Sequence, residues 1–134
     1  MAKYVYPAIF KEEESGLYSV DFPDFESCYT QGENPRDAVE NARDVLCFTL
    51  YSIENKDGQI PTPTDVRKVQ CEGNAFVSLI DCDTIEYRRL NDSKAVKKTL
   101  TIPNWLNTLS EKAGINFSAV LQKALMQELK IENK

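Results

Sequence analysis

Lys97-Lys98-Thr99-Leu100-Thr101-Ile102-Pro103 is the stretch from which the rest of the chain is best read. Side chains alternate along an extended strand, so Leu100 and Ile102 share one face and Lys97, Thr99 and Thr101 the other. Pro103 closes the strand and, with Asn104, opens a helix that repeats Leu106, Leu109 and Ala113 on one side. Gly114 tolerates the positive φ that ends a helix. Asn116 can cap a second helix with a wide apolar face of Phe117, Val120, Leu121, Ala124, Leu125 and Leu129. Residues 94–134 therefore predict one strand followed by two helices.

Some forty residues of this kind cannot bury enough surface to be stable alone, and a lone strand leaves its backbone unpaired. A two-fold dimer answers both needs. The strand pairs antiparallel with its mate, and the helices close over a core of Leu100, Ile102, Leu106, Leu109, Phe117, Leu121 and Leu125. Trp105 is expected in that core or at the dimer interface. A two-stranded ribbon fits the major groove of double-stranded DNA, with Lys97, Thr99 and Thr101 of each copy at base edges. Lys98, together with the start of the second helix at Asn116, Phe117 and Ser118, is placed to hold phosphates, because amide donors and the helix dipole favour an anion there.

The charge distribution agrees with that division. The chain carries −5 overall, yet residues 94–134 hold seven lysines against three glutamates, a balance of +4. The first 93 residues are left with −9. A basic end suits nucleic acid, while an acidic body is repelled by it and suits a basic protein.

The first 90 residues have a different grammar. Lys3 to Phe10 is apolar-rich and extended, and Pro7 predicts an edge strand or a bulge. Glu12-Glu13-Glu14-Ser15-Gly16 reads as a hairpin turn, Leu17 to Phe22 as a second strand, and Cys28-Tyr29-Thr30 as a third, closed by Gly32. Asn34 and Pro35 then start a helix whose Val39, Ala42, Leu46, Leu50 and Ile53 make one stripe, ending near Asn55. Pro61-Thr62-Pro63-Thr64 is an extended crossing. Ala75 to Cys82 is a fourth strand, and polar Arg88 to Lys94 reads as a linker. The fold class is α+β, with β-β-β-α-β in front.

Several function classes fall away on composition. No run of about 18 apolar residues spans a membrane, and Met1 to Phe10 lacks an apolar signal core, so a cytoplasmic protein is expected. Cys28, Cys47, Cys71 and Cys82 form no C-x-x-C pair and the chain has no histidine, which argues against zinc and for free thiols in a reducing compartment. Asp21, Asp24, Asp81 and Asp83 invite a magnesium-nuclease reading, but no further acidic ligand and no histidine base accompany them. No catalytic residue, metal or cofactor is expected. Asp24, in a turn between Phe22 and Phe25, fits either a contact residue or a turn residue bonded to its own backbone.

Two resemblances attach to these motifs. K-K-T-L-T-I-P, a helix ending in A-G, and I-N-F-S-A-V-L-Q-K-A-L resemble the ribbon-helix-helix repressors, departing at Asn116, where a small hydroxyl residue is common. Tyr6 to Phe10, Tyr18 to Phe25, Cys28 to Gly32, Asp37 to Ala42 and Ile60 to Thr64, in that order, resemble the HicB antitoxins of HicA–HicB toxin–antitoxin pairs. The second resemblance implies a truncated ribonuclease-H-like front domain (residues 1–90) that binds a small basic RNA-cleaving HicA-type toxin. Asp21, Phe22, Asp24, Phe25 and Tyr29 are its candidate contacts. It also implies a tail (residues 94–134) that represses the chain's own operon as a dimer, or as a tetramer of two dimers. The competing reading is a ligand-sensing ribbon-helix-helix repressor with no toxin partner, which requires an apolar pocket.

Overall fold

The computed structural model describes residues 2–132. They form two compact units, Met1–Lys94 and Ala95–Lys134.

Unit 1 is a four-stranded antiparallel sheet with one long helix on one face. The strands are β1 (Lys3–Glu12), β2 (Tyr18–Asp21), β3 (Tyr29–Gly32) and β4 (Phe76–Asp83), in the order β3-β2-β1-β4. The β1–β2 turn closes through the Glu13 amide on the Leu17 carbonyl and the Gly16 amide on the Glu13 carbonyl, with Gly16 at φ +90°. A side chain there would strain the turn. Helix α1 (Pro35–Asn55) follows β3 at once. Asn34 caps it, its side chain accepting from the Asp37 amide at 2.9 Å. Gly32 makes the close join possible, because a Cβ on it would collide with the backbone of Ala38.

The core lies between sheet and helix. Tyr6, Ala8, Phe10, Val20, Ile80 and Cys82 from the strands meet Ala38, Ala42, Leu46, Cys47 and Leu50 from α1, with Phe22 and Cys28 from the loop between β2 and β3. The buried stripe of α1 is thus turned slightly from the expected one. Ala38 and Cys47 are inside, while Val39 and Ile53 are only half-buried.

Three features differ from expectation. First, β1 is an interior strand, between β2 and β4, despite Pro7. The pairing with β2 runs only from Ile9 to Glu12, so at Pro7 one side of the strand has no ladder to lose. Second, the polar stretch from Arg88 is not a linker. Thr84–Asn91 is a helix, α2, capped by Asp83, whose side chain accepts from the Ile85 and Glu86 amides. Arg88 and Arg89 sit in its last turn, where cations favour the dipole. Third, β3 is shifted to Tyr29–Gly32, and Cys28 lies buried before it.

Unit 2 contains helices α3 (Asn104–Lys112) and α4 (Phe117–Glu128). Gly114, at φ +69°, turns the chain between them, and the Asn116 side chain caps α4 by accepting from the Ala119 amide at 3.0 Å. Residues 92–103 carry neither helix nor strand, so Lys97 to Ile102 has no ladder partner among the described residues. Lys134, one of the seven tail lysines, lies outside them.

Candidate functional site

Unit 2 has apolar side chains at helical spacing and no buried residue in either helix. Leu100, Ile102, Leu106, Leu109, Phe117 and Leu125 are all exposed, Trp105 is 64% exposed, and only Leu121 and Met126 of the α4 apolar face are half-covered. Such a face costs free energy in water, on the order of 25 cal/mol for each Å² left uncovered. So many exposed apolar side chains on two short helices are unusual for a surface that stays in water. Lys97, Lys98, Thr99 and Thr101 are likewise exposed. At the start of α4, Asn116 occupies the Ala119 amide, and the amides of Phe117 and Ser118 keep no partner among the described residues. Two free donors thus lie beside an exposed Ser118 hydroxyl at this helix start.

On unit 1 the five residues proposed from sequence part into three groups. Asp21 and Tyr29 face each other across the β2–β3 ladder, so both lie on the sheet face opposite α1, and Tyr29 is 67% exposed. With Ser19 and Gln31 they line a shallow groove of about 390 Å³. Phe22, by contrast, is fully enclosed in the core, so its side chain cannot touch a partner; that expectation is corrected. The alternation of β2 does not carry into it, because the chain bends there, the Phe22 amide bonding the Cys28 carbonyl. Asp24 and Phe25 are half-buried. Phe25 packs its ring 4.8 Å from that of Tyr6. Asp24 does not bond its own local backbone as a turn residue would. Its carboxylate accepts from the amide and the hydroxyl of Thr64, at 3.1 and 2.5 Å, fastening the Pro61–Thr64 crossing to the turn. Tyr6 donates its phenol to the Pro61 carbonyl beside it. Forty residues separate Asp24 from Thr64, so no local pattern could have announced the pair.

The remaining carboxylates of the nuclease reading have structural tasks. Asp81 pairs with Arg43 at 3.0 Å, and Asp83 caps α2. No group of three or more His, Cys, Asp or Glu side chains that could hold a metal exists among the described residues. The four cysteines are free; Cys28, Cys47 and Cys82 are buried and Cys71 is exposed. Burial raises the Cys28 thiol above its ordinary value, which suppresses the reactive thiolate.

One buried polar cluster escaped the sequence reading. Glu54, near the end of α1, accepts from Tyr4 of β1 at 2.9 Å, from Thr84 of α2 at 3.0 Å and from Arg88 at 3.0 Å. Arg88 also stacks on Tyr51, its guanidinium 4.5 Å from the ring centroid. Burial alone would raise the Glu54 carboxyl, but the hydrogen bonds it accepts, those from Arg88, Tyr4 and Thr84 among them, hold it below its ordinary value. The Tyr4 phenol, desolvated and bonded to that carboxylate, is pushed up to about 12. The only signal was a lone carboxylate beside an apolar stripe, which sequence gives no means of pairing.

With this geometry in place, the similarities to known proteins acquire content. The family model described as HicB-like antitoxin of bacterial toxin–antitoxin system matches residues 6–124. Antitoxin HicB 1 of Photorhabdus laumondii is 37% identical over 60 residues, 43% of this chain and 39% of that protein, so the alignment spans well under half of the relative's length. A solved toxin–antitoxin complex from Streptococcus pneumoniae contains a chain 30% identical, with a TM-score of 0.62, over 94% of this chain and 99% of that one. The antitoxin HicB of Burkholderia pseudomallei shares the fold at 19% identity and a TM-score of 0.55, over 94% of this chain and 98% of that one. No helix among the described residues is long and apolar enough to cross a membrane.

Proposed function

The chain belongs to the HicB-like antitoxins of bacterial toxin–antitoxin systems, and from that premise we propose that it does two jobs with its two units. Unit 1, a partial ribonuclease-H-like domain without activity of its own, binds and neutralises a small basic RNA-cleaving HicA-type toxin in the cytoplasm. Unit 2 is a ribbon-helix-helix module that dimerises and represses the chain's own operon on double-stranded operator DNA. Neither job needs a metal or a cofactor.

The observation that carries the reading is the uncovered apolar face of unit 2 beside an accessible run of lysine and threonine. A second copy supplies both the missing cover and the missing strand. Leu100, Ile102, Leu106, Leu109, Phe117, Leu121 and Leu125 then form one core. Lys97, Thr99 and Thr101 meet base edges, and Lys98 with the Asn116–Ser118 corner takes phosphates. For the toxin, the acidic charge of unit 1 suits a basic partner, and Asp21 and Tyr29 are its accessible candidates, with Asp24 and Phe25 at the margin. The competing ligand-sensor reading finds little support, since the groove at Asp21 and Tyr29 is shallow and open.

The test is fluorescence anisotropy on the DNA upstream of the chain's own gene, with a random duplex as control. Tight binding that weakens steeply with salt is expected, since each lysine–phosphate contact releases counterions. Thr99→Ala should cost about 1–3 kcal/mol and relax sequence preference. Lys98→Ala should weaken binding to both duplexes alike and flatten the salt slope. Equal, weak binding to both duplexes, indifferent to the substitutions, would sink the ribbon assignment.

A further inference from the structure

Three thiols are buried in unit 1, and two of them meet. Cys28 lies among oxygens, donating to the Val45 carbonyl at 3.8 Å and accepting from the Thr49 hydroxyl at 3.4 Å. The exposed Cys71 donates to the Ala75 carbonyl at 3.4 Å. Cys47 of α1 and Cys82 of β4 are hydrogen-bonded to each other instead, thiol to thiol. Both belong to the core, at 6% and 3% exposure. Helix α2 starts at Thr84, directly after Cys82-Asp83, so the pair sits where α1, β4 and α2 come together.

A single buried cysteine would mean no more than a small apolar side chain in a core. What sets this pair apart is its asymmetry. The Cys82 thiol donates to the Cys47 sulfur, which the Arg43 guanidinium and the Asp83 amide also favour as an anion. Together they hold Cys47 below the ordinary thiol value, against burial and the nearby Asp44 carboxylate. Cys82 is held well above it, first by its bond to Cys47 and then by burial. One sulfur is thus prepared as a nucleophile, and the other waits beside it as a thiol.

We infer that Cys47 and Cys82 form a reversible disulfide that clamps α1 to β4 when unit 1 meets a peroxide. The Cys47 thiolate attacks one peroxide oxygen; the O–O bond breaks, leaving a sulfenic acid on Cys47 and releasing water. The Cys82 sulfur then attacks the Cys47 sulfur, and the expelled hydroxyl leaves with the Cys82 proton as a second water. Two thiols thereby give two electrons and two protons to one hydrogen peroxide. A small dithiol reverses the step by exchange and ends as its own disulfide. In a reducing compartment the bond is therefore transient, made under peroxide and undone afterwards. While it lasts it closes a loop holding the end of α1, the crossing that follows and most of β4. The unfolded chain loses freedom, and unit 1 gains stability. The inference needs neither toxin nor DNA.

The experiment treats the folded, full-length chain with equimolar hydrogen peroxide and maps its tryptic peptides by mass. Cys71→Ser, at an exposed position, serves as the background, because Cys71 and Cys82 share the peptide Val69–Arg88. That peptide should appear joined to Asp44–Lys56, lighter by two hydrogens, and dithiothreitol should part them. Cys47 should be consumed about tenfold faster than Cys28. Oxidation should raise the thermal midpoint of unit 1 by on the order of 10 °C. With Cys82→Ala added, the link and the rise should both vanish, and Cys47 should stop at a sulfenic acid that dimedone traps. Each chain is compared with its own reduced form, so a cost of that core substitution does not enter. A link formed only after unfolding in urea, or Cys28 consumed as fast as Cys47, overturns the proposal. So does a native link that leaves the midpoint unchanged or lowers it.

Discussion

Glu54 is where β1, α1 and α2 are tied together, and its chemistry sets how unit 1 responds to acid. Its side chain is 5% exposed and that of Arg88 17%, so the pair is largely shielded from water and salt. Pairs of this kind are costly to break one-sidedly, because the survivor is left buried and uncompensated. Glu54→Gln should therefore lower the stability of unit 1 by about 3 kcal/mol, measured by urea unfolding at neutral pH. The sign of the pH effect follows from the depressed carboxyl. A group held below its ordinary value of 4.5 contributes its full stabilisation above that pH and loses it as pH falls through the folded value. The wild-type chain should accordingly lose stability below about pH 4.5 more steeply than Glu54→Gln; parallel acid limbs would show that Glu54 is not the group responsible. Nothing in the neighbouring sequence, I-E-N-K, could have announced this role, since Tyr4, Thr84 and Arg88 lie 30 or more residues away. The same holds for Asp24 and Thr64. Asn34 is the contrary case, because a cap bonds within three residues and its signal is wholly local.

Among the elements, α1 shows what local pattern can and cannot convey. Asn34, Pro35 and the acidic first turn fixed its start, and the apolar spacing fixed its length. Its rotation came out one position off because Gly32, by admitting Ala38 so closely, sets which stripe faces the sheet. Asn34→Ala should cost about 1 kcal/mol through loss of the bond to the Asp37 amide, while Asn34→Asp should be close to neutral, both read as shifts in the urea midpoint at constant slope. Equal costs for the two would mean that the cap bond is not what holds this turn. Helix α2 was missed because eight residues with three apolar ones, Ile85, Tyr87 and Leu90, are too short to show a period, and its stability comes from the Asp83 cap and the Arg88 anchor. Pro7 misled for a related reason. Whether a proline can sit in an interior strand depends on where the neighbouring strand stops, and β2 stops at Asp21, opposite Ile9.

For the molecule as a whole, the contrast between the units is the main fact. Unit 1 has a closed core; unit 2 has none of its own among the described residues. If unit 2 closes only on a second copy, its melting must depend on protein concentration while that of unit 1 need not. Calorimetry over a hundredfold concentration range should show the transition of unit 2 rising, by about 2.7 kcal/mol of apparent stability for each hundredfold excess over the dissociation constant. Leu121→Asp should erase that transition and leave the transition of unit 1 intact. A concentration-independent melt of both units would mean that unit 2 finds its cover within one chain. The two helices, the Asn116 cap and the charge divide of this module were legible because each is a short-range pattern. Which surfaces meet across copies was legible only as a need.

The bare apolar face of unit 2 also has a consequence in time. Unit 1 can fold as soon as its own residues are made, by a first-order process, whereas completion of unit 2, on the dimer proposed above, waits on an encounter. Protein pairs meet productively at about 10⁵–10⁷ M⁻¹s⁻¹, so at roughly micromolar chain the wait is on the order of 0.1 to 10 s. A newly made chain would thus pass through a spell in which its acidic half is finished and its basic half is not. On the proposed division of labour it could engage a partner of unit 1 before it could occupy DNA, and the spell would lengthen in inverse proportion as the chain becomes scarce.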